Sequence, residues 1–482
     1  MRILFPKSIP LRPLLIFLVT VLTIQLMQGT DPAFAVLMLA AQLAAVVSFN
    51  RLGGMTHMAG AFNLFAVVPI VTMPELAHLF LGQPGDYNLQ HPLTTAGVCA
   101  VYFICVMVAA LVVSSIRHPV PLLDRVHFSI LELRIISTLA AIFAALIYIA
   151  GFVHTGPMED GSLLLALTHF FPFLLSISIM LATYVQLTIT NGQSAMNWYI
   201  ACLFIFGSVP GVLFASKEGM LTPAFCWLTV VASARYRFTW LGSLALLGAV
   251  LLIWGVLYPF SQNARFPVRE AQTLSDKLDV IGSFLSDPSQ FPDALSEATE
   301  SNEFGAGSGK IGIVNRVSLL LASDMLIDAD LRAGFTSIDR IAPVLVSVVP
   351  HALWPNRPLP ISTNELGHKA GILMDETDVE TGIALGSPAE FFDAGGWGAL
   401  ILYTLLLFTF FFFVTVRLIS TTEMGIWGLV PIGTEALIAG AISPGGIFSL
   451  ISSFLAMLLV TIAILKVISY AAKTLFSRTV SA

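Results

Sequence analysis

The residues best suited to chemistry gather in one proline-rich elbow. The stretch Val349-Pro350-His351-Ala352-Leu353-Trp354-Pro355-Asn356-Arg357-Pro358 ends an apolar run, follows it with a histidine and a tryptophan, and sets an arginine between prolines. Proline fixes φ and biases the residue before it away from helix, so Pro355 and Pro358 hold Trp354 and Arg357 on a rigid turn. Two readings of each side chain stay open. Trp354 is either an interfacial anchor or a platform that stacks on the apolar face of a sugar ring. Arg357 is either a contact to a lipid phosphate or part of a bidentate pyrophosphate clamp. Lys217, within Phe214-Ala215-Ser216-Lys217-Glu218-Gly219, is either half of a local ion pair with Glu218 or an ammonium that holds an anionic headgroup.

Other suggestive stretches fail on spacing. A phosphate loop needs glycine six residues before its lysine and Ser or Thr after it; around Lys310 those positions are Phe304 and Ile311, so the run reads as a flexible link. A calcium loop starting at Asp375 would need an oxygen ligand at Val379 and a glycine at Glu380, so this stretch reads as solvated loop. Glu75, Asp86 and Glu435 read as helix-end or loop charges without partners. Cys99, Cys105, Cys202 and Cys226 all fall in apolar runs and read as small core residues, with neither disulfide nor zinc spacing.

The elements that must position the elbow are membrane helices. Of 482 residues 56% are hydrophobic and 11% charged, and the mean hydropathy is +0.87. Soluble chains carry about 25% charged residues. Apolar stretches near the length of a membrane-crossing helix recur along the chain. They predict spans near 12–28, 33–49, 58–81, 95–116, 135–153, 162–189, 197–215, 220–234, 239–258, 396–416, 425–443 and 447–470. The first of these follows a basic start and reads as a retained helix, since no small-x-small cleavage site closes it. Thirteen basic residues fall on the N-terminal side of the expected membrane and one, Lys217, in the short loops opposite. That asymmetry predicts both termini in the cytoplasm and an even number of spans. The expected fold is therefore an all-α polytopic membrane protein with about 12 transmembrane helices. Residues 1–258 would form a nine-helix membrane region and 396–482 a three-helix one.

Between them, 259–395 holds the remaining nine basic residues and 19 of the 29 acidic ones. A structureless loop of such length is uncommon, so a folded extracytoplasmic layer is expected. Apolar residues at helical spacing in 271–287 predict an interfacial helix. The apolar stretch 338–350 is too short to span and predicts a re-entrant or surface-lying helix. No internal repeat is visible.

Three stretches carry a resemblance: 316–326, 337–358 and 381–403. Together they resemble the signature region of Wzy-type polymerases, the bacterial membrane enzymes that join repeat units of O-antigens, capsules and exopolysaccharides. The match lies in the Pro-Trp-Pro elbow, in Ser387 through Glu390, and in the pair Gly395-Gly396 just before a span. It covers roughly 310–405, with weaker support around Lys217. His351 stands where the family usually has arginine, and Arg357 where lysine is common.

The resemblance implies a GT-C-like membrane enzyme that transfers a growing glycan from undecaprenyl pyrophosphate to another lipid-linked repeat. The reaction would take place at the outer face of the bacterial inner membrane. Partners implied are the undecaprenyl-pyrophosphate-linked oligosaccharide, the bilayer, and a chain-length regulator and flippase of the same pathway; neither a nucleic acid nor a cofactor or metal is expected. Negative charge grows on the pyrophosphate as it leaves, and fixed cations stabilise it. Lys217, Arg316, Arg332, Arg340 and Arg357 are the candidates, with Trp354 on the glycan. His351 or Glu390 would accept the proton of the attacking hydroxyl. A glycan ligase and, from another class, a flippase or transporter are the rivals. Sparse polar residues in the spans and the long outer segment disfavour the transporter.

Overall fold

The computed structural model describes residues 5–116, 128–153, 163–213, 215–252, 273–286, 318–336, 363–373, 383–419 and 426–435, with isolated positions such as Trp354 between them. No strand occurs among these residues. The chain runs through α1 (Leu11–Met27), α2 (Pro32–Arg51), α3 (Met58–Val67), α4 (Met73–Leu81), α5 (Pro92–Ser115), α6 (Ile130–Val153), α7 (Leu163–Ile189), α8 (Trp198–Leu213), α9 (Lys217–Ser233) and α10 (Trp240–Leu252). The polar segment contributes α11 (Leu274–Ser286), α12 (Leu320–Ala333), α13 (Thr363–Lys369) and α14 (Ser387–Asp393), followed by α15 (Gly396–Leu418) and α16 (Ile426–Glu435).

Helices thus run through the described parts of the expected spans from 12–28 to 425–443, while 436–443 and 447–470 lie outside the described residues. Among the described residues five helical stretches are long and apolar enough to cross a membrane: α2, α3 with α4, α5, α6 and α15. Their outward faces stay apolar, as on α15, where Ile401, Leu402, Leu406 and Phe410 are exposed. Trp198, Trp240 and Trp397 stand exposed at the starts of α8, α10 and α15, the placement of tryptophan at a membrane–water boundary.

Two apolar cores form. The first joins α2, α3, α5, α12, α14 and α15. Ala41, Ala44 and Ala45 of α2 share this core with Ala96, Cys99 and Ala109 of α5, and small side chains let helix backbones approach where lipid supplies no hydrophobic drive. Larger rings close the other side: Tyr102 meets Phe391 and Phe408 edge-on at 5.6 Å each. The second core joins α6 to α9 with α16, and Ser137 and Ser178 exchange hydroxyl-to-carbonyl bonds across α6 and α7 at 2.9 and 2.8 Å.

The stretch 58–81 is not one straight helix. Pro69 and Pro74 lack N–H groups, so the carbonyls one turn before them lose their donors, and residues Val68–Thr72 widen into a π turn. The backbone of the polar segment enters this break: Leu319 N donates to Pro69 O at 3.0 Å. As a result α12 is lodged against the bundle, with Leu320, Asp324, Leu326, Ile327 and Asp330 all buried. The helix expected in 271–287 is present as α11, whose Leu274, Leu278 and Leu285 lie exposed along one side. The apolar stretch 338–350, the link at 305–310 and the loop at 375–380 lie outside the described residues.

Two expectations are corrected. Glu75 is neither at the surface nor without a partner: it is 6% exposed inside the bundle, and its carboxylate accepts from Gln42 Nε2 while its carbonyl accepts from Gln25 Nε2 at 3.0 Å. Asp86 is likewise engaged, accepting from Asp31 N at 3.2 Å. Glu75 sits one residue after Pro74, so the sequence suggests a helix start, but the helix continues through the break. Among the cysteines, Cys99, Cys105 and Cys226 are buried, whereas Cys202 is exposed on α8. An apolar run does not distinguish a core face from a lipid face. The side chain of Glu435 lies outside the described residues.

Candidate functional site

The polar segment meets the first bundle where α5 and α15 begin. α12 carries its acids on two faces. Asp324, Asp328 and Arg332 recur every four residues on one, and Asp330 lies on the other. The Asp324 carboxylate accepts from Gln90 N at 2.5 Å, His91 N at 3.0 Å and Thr95 Oγ1 at 2.7 Å. It thereby satisfies orphan donors at the start of α5, as an N-cap does, but from a distant helix. Asp328 bonds His91 Nε2 at 3.1 Å and pairs with Arg332 on the surface.

Glycines place the other elements. Gly386, at φ +87°, turns the chain into α14, and an added Cβ there would lie 2.5 Å from Ser323 Oγ. That hydroxyl donates to Leu385 O at 2.7 Å and ties α14 to α12. Gly395 and Gly396, at φ +149° and +71°, turn α14 directly into α15, and a Cβ on Gly396 would press on the Phe335 ring at 3.0 Å.

On the inner side of this junction one ammonium is held by three oxygens. Lys369 Nζ, at the end of α13, donates to Asp330 Oδ1 at 2.6 Å, to Asp393 Oδ1, and to Thr336 Oγ1 at 3.2 Å. Thr336 Oγ1 in turn donates to Asp393 Oδ1 at 2.8 Å, and Thr336 N donates to Asp393 O at 2.9 Å. Burial alone would lower the lysine pKa, but the bonds and charges of the two aspartates outweigh it and raise it. Burial, then the neighbouring Asp393, pushes the Asp330 carboxyl up, against the pull of Lys369. One turn below Asp393, Glu390 is 3% exposed, and neither of its oxygens receives a hydrogen bond from any described residue. Burial first, and then the Asp393 charge, pushes Glu390 up to about 8.

Above the network opens a pocket of about 410 Å³, lined by Phe335, Thr336, Gly395, Gly398, Leu402 and Tyr403 among others. Its aromatic and aliphatic walls with one polar foot suit a ligand that is part ring face, part hydroxyl. Beneath it two aspartates and Thr336 hold one ammonium, all three of whose hydrogens are engaged. Such a foot suits a neutral hydroxyl donor better than a phosphate.

Of the residues singled out from the sequence, Glu390 belongs to this cluster. Arg332 lies on the outer face of α12 with its charge met by Asp328. Trp354 is 42% exposed. Arg316, Arg340, His351 and Arg357 lie outside the described residues, and so does the Lys217 side chain, although Lys217 itself opens α9 behind the Ser216 cap. Lys369, Asp330, Asp393 and Thr336 were not anticipated. Asp330 and Lys369 match no motif, and Asp393 stood in a resembling stretch without being singled out. No protein-family model matches the chain, and no curated protein or solved structure does either.

Proposed function

We propose that the protein is a bacterial inner-membrane glycosyltransferase that polymerises undecaprenyl-pyrophosphate-linked oligosaccharide repeat units into a surface or secreted polysaccharide. In this reading about 12 helices in a GT-C-like arrangement cross the membrane, both termini are cytoplasmic, and 259–395 works at the outer face. The observation that carries it is the buried Lys369 network at the foot of an open pocket, at the glycine turn where the resembling stretch 381–403 enters α15. A hydroxyl nucleophile needs a nearby proton acceptor, and carboxylates are gathered there. The leaving pyrophosphate needs cations; Lys217, Arg316, Arg332, Arg340 and Arg357 are assigned that role, with Trp354 against the glycan. His351 and Glu390 are the proton-handling candidates that the resemblance suggests.

One observation favours a transport reading instead. Glu75, Gln42 and Gln25 form a buried polar group beside the broken helix 58–81, and an ionisable residue inside a span is a common mark of a translocation path. A single experiment separates the two. Arg357→Ala removes a charge-assisted hydrogen bond, about 1.5–3 kcal/mol, so turnover falls about ten- to a hundredfold. Cells carrying it, with the protein still in the membrane, accumulate single lipid-linked repeats on the outer leaflet while long glycan disappears. Accumulation on the cytoplasmic leaflet alone supports transport, and normal chain lengths remove Arg357 from the site.

A further inference from the structure

Thr336 is the side chain through which the buried network meets the pocket. A hydroxyl has one hydrogen to donate and two lone pairs to accept with. Thr336 gives its hydrogen to Asp393 Oδ1 at 2.8 Å and takes one from Lys369 Nζ at 3.2 Å. The lone pair left over accepts and cannot donate. Lys369 has no hydrogen left to turn toward a ligand, since its three are spent on Asp330, Asp393 and Thr336. The foot of the pocket therefore selects a ligand group that donates, such as a sugar hydroxyl, and discourages a phosphate, which has only acceptors at neutral pH.

We propose that Thr336 receives the attacking hydroxyl of the acceptor glycan and passes its proton to Asp393, with Lys369 and Asp330 as positioning residues. This rests on the glycosyl-transfer reading above. The hydroxyl's O–H bond breaks as its hydrogen goes to Thr336 Oγ1, and Thr336 gives its own hydrogen to the Asp393 carboxylate. The freed electron pair forms the new bond to the anomeric carbon of the donor. The bond from that carbon to the pyrophosphate oxygen breaks, and its electrons leave with the undecaprenyl pyrophosphate. Asp393 then returns the proton to solvent through the pocket. Glu390 is sealed one turn lower and lies beside Asp393 without reaching the pocket.

The groups that face Asp393 are Asp330 from α12, Lys369 from α13 and Glu390 on its own helix, with Tyr403 of α15 across the pocket.

The experiment uses the full chain in lipid vesicles with undecaprenyl-pyrophosphate-linked repeats, and reads turnover and acceptor KM against pH. Thr336→Val lowers kcat by about a hundredfold, the lower end for lost proton transfer, while Thr336→Ser keeps most of it. Lys369→Gln lowers kcat while acceptor KM stays near that of the unaltered protein; a lysine of merely structural role would lower only the amount of folded protein. Full activity of a membrane-inserted Thr336→Val overturns the proposal and leaves the polymerase reading standing. Should that variant be lost from the membrane, the unaltered protein decides: a rate independent of pH between about 4 and 8, the range over which a carboxylate titrates, overturns it. No transfer by the unaltered protein at any pH overturns both.

Discussion

Glu390 is an acid that folding makes weaker. Its pKa rises from an ordinary carboxyl value to about 8, first through burial and then through Asp393. A carboxyl raised on folding contributes stability that is present below its unfolded value and is lost as pH rises through the folded one. Thermal stability of the detergent-solubilised protein should therefore fall between about pH 5 and pH 8, by up to about 1.4 kcal/mol per pH unit. Glu390→Gln, which mimics the protonated form, should reduce that slope in a thermal-shift titration, leaving the share of Asp330, whose carboxyl is raised too; an unchanged slope would show that Glu390 contributes none of it. Lys369 contributes through its charge. Removing one partner of a buried ionic cluster leaves uncompensated charge and costs about 3–5 kcal/mol. Lys369→Met should lower the thermal midpoint of the solubilised protein, and adding Asp330→Asn should recover part of it. Glu390 was legible in sequence, but the cluster around Lys369 was not. Lys369 lies 39 residues from Asp330 and 24 from Asp393, in a stretch with no motif, so the fold alone gathers the three.

At the scale of elements, hydropathy located the helices well, because lipid demands long unbroken apolar runs with their backbone bonds made internally. It could not place α12, whose apolar run is short and carries Asp324 and Asp330. What lodges α12 against the bundle is the open carbonyl at Pro69 and the donors at the start of α5, both far away in sequence. Gly395-Gly396 was legible as a motif, but its mechanical role was not. The pair lets α14 turn into α15 with no intervening loop, so Asp393 ends one helix three residues before the next begins. Gly386 has the same standing. Its φ of +87° with ψ of +125° is open almost only to glycine, and a methyl there meets Ser323. Gly386→Ala should cost about 1–3 kcal/mol from backbone strain alone and separate α14 from α12. Protease cleavage within 374–386 should then be faster than in the unaltered protein; equal rates would argue against the glycine's role.

On the whole-molecule scale, polar contacts sort the helix ends. Residues 6–9 bond Asn50 and Met55 at one end. The turns at 30–31 and 85–86 bond each other at the opposite end, where α12 also meets the start of α5. Among the described residues five helical stretches fit a membrane crossing, and the sequence pattern expects thirteen of the basic residues outside 259–395 on the N-terminal side. Reporter fusions after Glu300 and Leu475 should therefore respond oppositely, and the same response from both would make the span count odd. The central claim is tested most directly by the products of the purified protein in vesicles supplied with undecaprenyl-pyrophosphate-linked repeats alone. The account predicts a ladder of glycans, each still on its lipid, with one undecaprenyl pyrophosphate released for every repeat joined. Repeats that cross the bilayer without being joined, or no released carrier, would contradict it.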